Sequence, residues 1–221
     1  MKHHKKSKTL IIILSFVIMC GIIFNILFLH NGTMYSNRDF SIEDYTSTVD
    51  KDGDGIDDQT DILLSTREYI ATNPQYKSEY YENGYPNGKY GVCTDVVGFA
   101  LKNAGYDLMT LLYDDVNAHP DDYDIEEPDK NIDFRRVKNL IVYFRHTAIS
   151  LTGNIGEIAQ WQGGDIIVFS DHIGIVSNHR NKKGQPFVIH HAYPNQPSYE
   201  EDLFGRPINF YGEIRGHFRI S

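Results

Sequence analysis

Hydrophobic and polar positions along the chain fall into three zones with different spacing. The first is the apolar run Leu10 to Leu29, interrupted by little except Ser15, Gly21 and Asn25 and preceded by the basic stretch Met1 to Lys8. Its length matches a bilayer-spanning helix of about 20 residues. The lysines before it, with no positive charge directly after it, orient the N-terminus inside and the rest outside. The sequence therefore predicts a cytosolic tail over 1–8, a transmembrane signal anchor over 9–29 and a turn-rich linker over 30–49. A cleaved signal peptide is the alternative for the same run, although no small-x-small cleavage site follows it. This pattern implies a single-pass membrane protein with its domain on the extracytoplasmic side.

The second zone has helical spacing. Ile62 to Ala71 reads as a helix capped by Thr60 or Asp61. Val96, Val97, Ala100, Leu101 and Ala104 recur on one helical face, and Gly105 supplies a left-handed stop. Leu108, Leu111, Leu112 and Val116 suggest a further short helix. Val137, Leu140, Ile141 and Phe144 suggest another, although Leu140 to Phe144 also suits a strand. Between Asn73 and Tyr90 lies a loop dense in tyrosine, including Tyr76, Tyr80, Tyr81, Tyr85 and Tyr90. It reads either as a wall of a substrate groove or as a well-packed loop.

In the third zone the period drops to that of strands: Asp165 to Phe169, His172 to Asn178, Pro186 to His191, and Glu213 to Ile220. Helices come first and an antiparallel sheet follows, which predicts an α+β fold. One domain over 50–221 accounts for all of it, since a 221-residue chain with 41% hydrophobic residues can bury one sizeable core.

Charge narrows the function. The net charge of −9 includes four lysines in the first eight residues, so the remainder holds 17 Lys+Arg against 30 Asp+Glu. An acidic domain of this kind is unsuited to binding nucleic acid through phosphates. Of the two cysteines, Cys20 lies in the apolar run, which leaves Cys93 as a free thiol in the domain.

Cys93 falls at the start of the helix that begins near Val96. Free backbone N–H groups and the positive helix end there favour the thiolate, although Asp95 works against it. A histidine partner would complete the chemistry. His172 opens one strand and His190 ends the next, and neighbouring antiparallel strands can set two such rings side by side. A cysteine nucleophile, a histidine that takes and returns its proton, and a third polar group that orients the histidine together make a catalytic triad. His191 competes with His190 for the third place. His119, His146, His179 and His217 read as surface or core histidines. Arg135 and Arg136 could hold a substrate carboxylate, or form a solvated basic pair answering the acidic loop Asp121 to Asp133.

The blocks Gly164-Asp165-Ile166-Ile167-Val168-Phe169, His172-Ile173-Gly174-Ile175-Val176 and Val188-Ile189-His190 resemble the hairpin and third strand of the NlpC-type cell-wall cysteine peptidases. More closely, Gly91-Val92-Cys93-Thr94-Asp95-Val96, Asn131 to Val137 and Ile214-x-Gly216-His217-Phe218-Arg219 resemble a bacterial domain family of unknown function related to those peptidases. The resemblance implies a papain-like fold in which N-terminal helices pack on a small antiparallel sheet. It also implies a cysteine peptidase or amidase with Cys93 as nucleophile, His172 as base and His190 as third member. The substrate it implies is a peptide amide of the peptidoglycan stem peptide, with Arg135, Arg136 and Tyr85 as candidate substrate contacts. Two other readings use the same sequence: a zinc-dependent hydrolase built on Cys93, His172 and His190 or His191, and a non-enzymatic calcium-dependent surface binding module.

The calcium expectation rests on the segment from Asp50 to Asp61. Asp50, Asp52, Asp54, the Ile56 carbonyl, Asp58 and Asp61 fall at positions 1, 3, 5, 7, 9 and 12 of an EF-hand-like loop, with Gly55 at 6. Asp61 stands where a longer Glu is usual. A bound Ca²⁺ would be structural, and the competing reading is an acidic turn that caps the following helix.

Overall fold

The computed structural model describes residues 13–19, 21, 33–206 and 210–220. The expected transmembrane anchor is not supported. Residues 13–19 are helical, but among the described residues no helix is long and apolar enough to cross a membrane. The rest of the 9–29 run and the 1–8 tail lie outside the described residues.

The domain places four helices before and beside an antiparallel sheet. The first, α1, spans Asp58–Ala71 and starts four residues earlier than the apolar spacing suggests. Asp57, rather than Thr60 or Asp61, is its N-cap and accepts from the Thr60 N–H at 3.3 Å. Buried Asp58, Gln59 and Asp61 explain the early start, because this first turn is anchored by polar contacts instead of apolar ones. Helix α2 spans Cys93–Asn103. Its end has Gly105 at φ +85, with the N–H groups of Gly105 and Tyr106 donating to the carbonyls of Lys102 and Leu101. A left-handed residue closing two helix-end carbonyls is what the glycine allows at low cost. Helices α3, Leu108–Ala118, and α4, Val137–Thr147, complete the layer. The Leu140 to Phe144 segment is therefore helical.

Strands β1, Gln75–Tyr76, and β2, Tyr90–Gly91, form a short parallel pair that closes the base of the tyrosine loop. The main sheet contains β3, Ile149–Ser150; β4, Ile166–Val168; β5, Ile173–Arg180; β6, Pro186–Ile189; β7, Glu200–Glu201; and β8, Gly216–Arg219. Their order is β3-β8-β4-β5-β6-β7, with every pairing antiparallel.

Both faces of the sheet are covered, which explains why β4 is continuously apolar instead of alternating. On one face Ile166, Val168, Ile173, Ile175 and Phe218 join the helical core of Val97, Leu101, Leu112 and Phe144. On the other, Ile167, Phe169, Val176 and Val188 pack with Trp161 and Leu203. Polar residues at the edges of this second core are satisfied in place. Asp165 accepts from Arg219 Nε at 2.7 Å and lies 2.9 Å from His217 Nε2, and His217 stacks flat on Trp161 at 3.7 Å. The stretch 30–49, expected as a free linker, is packed on the domain where it is described. Tyr35 exchanges backbone hydrogen bonds with Arg180, and buried Asn37 donates to Gln162 Oε1 at 2.9 Å.

Candidate functional site

Cys93 is the first residue of α2, with Val92 as N-cap. Asp95 closes that turn by accepting from the Val92 N–H at 2.8 Å, a helix-start role for a residue whose charge opposes a thiolate. The thiol is not lowered as helix-end placement suggests. Burial pushes the Cys93 thiol up to about 11, which outweighs backbone N–H groups of Ile173, Thr94 and Cys93 that favour the thiolate. At rest the group is a neutral thiol.

Cys93 and His172 line one cavity of about 420 Å³, together with Tyr76, Ser170, His191 and Tyr211. His172 stands in the tight turn between β4 and β5, held by the Phe169 N–H donating to its carbonyl at 2.8 Å. Its ring lies against Tyr211, with centroids 4.3 Å apart and planes 20° apart. Its Nε2 is 2.9 Å from His190 Nδ1. Burial, then the neighbouring His190 and His191, drives the His172 pKa down to about 2, so this ring too is neutral at rest.

The chain of contacts continues. His190 Nε2 lies 3.2 Å from Glu201 Oε2, and Glu201 Oε1 pairs with Arg206 at 3.0 Å. His190 and Glu201 are both buried. Burial works to raise the Glu201 pKa, but the hydrogen bond with His190 and the charges of His190 and Arg206 hold it below the usual carboxylate value. Strand pairing creates this contact. Val188 lies opposite Glu201, and His190, two residues on, shares the face of Val188. A histidine whose far nitrogen meets a buried carboxylate is fixed in tautomer and orientation.

His191 turns to the opposite face. It is buried edge-to-face against Tyr76 and Tyr199, with its Nδ1 unpartnered among the described residues. Burial, then His190, lowers its pKa to about 4.

The candidate substrate contacts are placed elsewhere. None of Arg135, Arg136 and Tyr85 lines the cavity that holds Cys93. Arg135 is buried and donates through Nε and an Nη to both oxygens of Asp95, and through its other Nη to the Glu79 carbonyl at 2.6 Å. Arg136 is exposed and is the N-cap of α4. Tyr85 donates to Asp107 Oδ1 at 2.9 Å and packs between Phe99 and Phe134. The tyrosine loop thus divides, with Tyr76 on the cavity and Tyr85 in the core.

In the acidic loop, carboxylate oxygens of Asp50, Asp52 and Asp54 come within 4.8 Å of one another. Asp50 also accepts from the N–H groups of Gly53, Asp54 and Gly55, and Gly55 takes a positive φ of +93. Ile56 donates its N–H to Asp54 at 2.8 Å. Asp58 is turned inward, accepting from the Lys51 N–H and from the Tyr106 hydroxyl. Asp61 accepts from Ser65 at 3.0 Å, and its pKa is raised by burial and then by the charges of Asp54, Asp52 and Asp58. Cys93, His172 and His190 or His191 are not among the groups of described residues whose ligand atoms all lie within 4.8 Å of one another.

Glu201 and Tyr211 are the site residues that sequence reasoning missed. A lone acidic residue in a polar stretch gives no signal, and only the pairing of β7 with β6 brings it to His190.

The fold and site together define an α+β domain in which a helix-start cysteine and a buried His–His–Glu chain meet at one cavity. The family model described as a domain of unknown function (DUF1287) matches residues 64–220, and the chain belongs to that family. It is 33% identical over 172 residues to the uncharacterized protein YijF of Escherichia coli (strain K12), covering 72% of this chain and 80% of that one. No solved structure matches the chain.

Proposed function

We propose that the domain is an extracytoplasmic cysteine hydrolase related to the NlpC-type peptidases, cleaving peptide amide bonds of peptidoglycan stem peptides. The observation that carries the reading is the 2.9 Å contact of His172 Nε2 with His190 Nδ1, continued to Glu201, at the cavity that Cys93 lines. His172 engages His190 through Nε2, so Nδ1 is its nitrogen for proton transfer.

In this reading His172 takes the Cys93 proton as the sulfur attacks the amide carbonyl carbon. The oxyanion meets the free N–H of the first turn of α2. Collapse breaks the C–N bond, and the amine leaves with the proton held by His172. Water then attacks the thioester, giving its proton to His172. The carboxylic acid departs and the thiol is restored. A neutral resting pair suits this order, because charge separates only when substrate is in place. The cell-wall substrate also sets the compartment, outside the cytoplasm.

The test is mass analysis of purified peptidoglycan fragments after incubation with the full chain and with Cys93→Ala. New amine and carboxyl ends are expected with the first and not the second. Fragments that remain intact with a folded wild-type chain would overturn the assignment.

Calcium enters the proposal as a structural ion only. Asp50, Asp52 and Asp54 would supply side-chain oxygens and Ile56 its carbonyl, the oxygen-rich set a hard cation takes. Asp58, already bonded to Lys51 and Tyr106, would contribute least. No step of the reaction would pass through it.

A further inference from the structure

A second side-chain cluster lies outside the Cys93 cavity, where the C-terminal ends of α3 and α4 meet. Asp115 Oδ1 is 3.2 Å from His119 Nδ1, and Asp115 Oδ2 is 2.7 Å from His146 Nδ1. One ligand atom from each of the three residues lies within 4.8 Å of the others. The two rings meet edge-to-face, with centroids 5.0 Å apart and planes inclined at 61°. We propose that Asp115, His119 and His146 form a binding site for a borderline divalent transition metal, of which Zn²⁺ is the representative.

The chemistry of the donors selects the metal. Two imidazole nitrogens and one carboxylate oxygen suit Zn²⁺, Ni²⁺ or Cu²⁺, whereas Ca²⁺ and Mg²⁺ require oxygen-rich shells. The site is also supported from behind. The Tyr123 hydroxyl donates to Asp115 Oδ2, and Tyr123 is itself buried. Such an outer hydrogen bond fixes a ligating carboxylate in orientation. Asp122 Oδ2, 3.5 Å from His146 Nε2, adds negative charge beside the cluster.

Its placement separates it from the start of α2 at Cys93 and from the acidic loop. Asp115 and His119 are one turn apart on α3 and its C-cap, while His146 comes from the last turn of α4. A metal bound to all three would add coordination bonds to the Asp115–His146 contact that already links the two helices. His119 and His146 are partly exposed, at 53% and 26% of their side chains, so an ion can enter and leave from solvent. In the metal-free protein the histidine–carboxylate contacts hold the three groups together. The ion takes the place of the protons between them.

The test uses the full chain without an added histidine tag, titrated with ZnCl₂ by calorimetry and followed by thermal melting. One Zn²⁺ per chain is expected. At free metal about a hundredfold above Kd, Tm should rise by roughly 5 °C or more. Both effects should be lost in His119→Ala and in His146→Ala. They should persist in Cys93→Ala and in a chain with His3 and His4 both changed to alanine. Because His119 is exposed, His119→Gln serves as a second variant whose unliganded Tm is expected to match the wild type. Wild-type protein that binds no Zn²⁺, or binding that survives either α3–α4 histidine variant, would overturn the proposal. So would binding that disappears with Cys93→Ala.

Discussion

Arg135 grips both carboxylate oxygens of Asp95, at 2.7 and 2.9 Å, and so ties the segment before α4 to the turn that starts at Cys93. Both side chains are nearly inaccessible to water. Removing one partner leaves the other charge buried, at a cost of roughly 3 kcal/mol or more. Arg135→Met is therefore expected to lose that much stability in a urea titration. Arg135→Lys should recover only part of it, since an ammonium cannot bridge two oxygens in a plane. A variant as stable as the wild type would show that the pair does not hold the turn.

His190 and His191 are adjacent yet should differ sharply in their effect on turnover. His190→Ala removes the group that orients His172, and a loss of about 10²–10⁴-fold in kcat is expected, with little change in KM. His191→Ala, on the other face of the strand, should cost less than about tenfold and act mainly on KM. Measured kinetics with the order reversed would assign the orienting role to His191.

The Cys93 thiol should alkylate unlike an activated cysteine. With a pKa raised to about 11 by burial, the iodoacetamide rate should keep climbing past the ordinary thiol value of 9.0 and level off only near the raised one. The same shift has a stability consequence of definite sign. The folded state holds the proton more tightly than the unfolded chain, so this contribution is full below 9.0 and is lost as pH rises through about 11. A rate that levels off in the neutral range would mean that His172 and Cys93 form an ion pair at rest.

The acidic loop should respond to Ca²⁺ and not to Zn²⁺. Calorimetry at millimolar Ca²⁺ should detect one ion, with a rise in Tm that Asp52→Asn combined with Asp54→Asn removes. Neutralisation relieves the repulsion that Asp61 now feels from Asp52 and Asp54. An unchanged Tm and a flat titration would leave the loop only its role as the start of α1.

Element type was legible wherever spacing was strong. The α2 face, its Gly105 stop and the β4–β5 hairpin all follow from apolar periodicity and turn chemistry. Helix starts were less legible when polar residues made them, and α1 begins at Asp58 because Asp57, Asp58 and Asp61 bond inward. For the site, the proximity of His172 and His190 was readable from two adjacent strands. Glu201 was not, because its position depends on a two-residue strand that no pattern marks. Arg135 misled for a related reason. An arginine in sequence carries no sign of whether its partner is a ligand or, as here, a buried aspartate forty residues earlier. Cys93 misled through burial, since a helix start is visible in sequence and the depth of a side chain is not.

Strand β8 lies between β3 and β4, although it is made of residues 216–219. During synthesis from the N-terminus, β4 to β7 can pair as they emerge, but the β3 side of β4 has no neighbour until Gly216–Arg219 arrives. His217 and Arg219 arrive with it, and until then Asp165 lacks two of its partners. Nascent chains stalled before residue 216 therefore carry an open apolar strand edge beside an acid left with only the neutral donors Gln59 and the Gln162 N–H, the kind of intermediate that chaperones bind. Completion of this sheet, and with it protection from proteases, is timed by the arrival of β8.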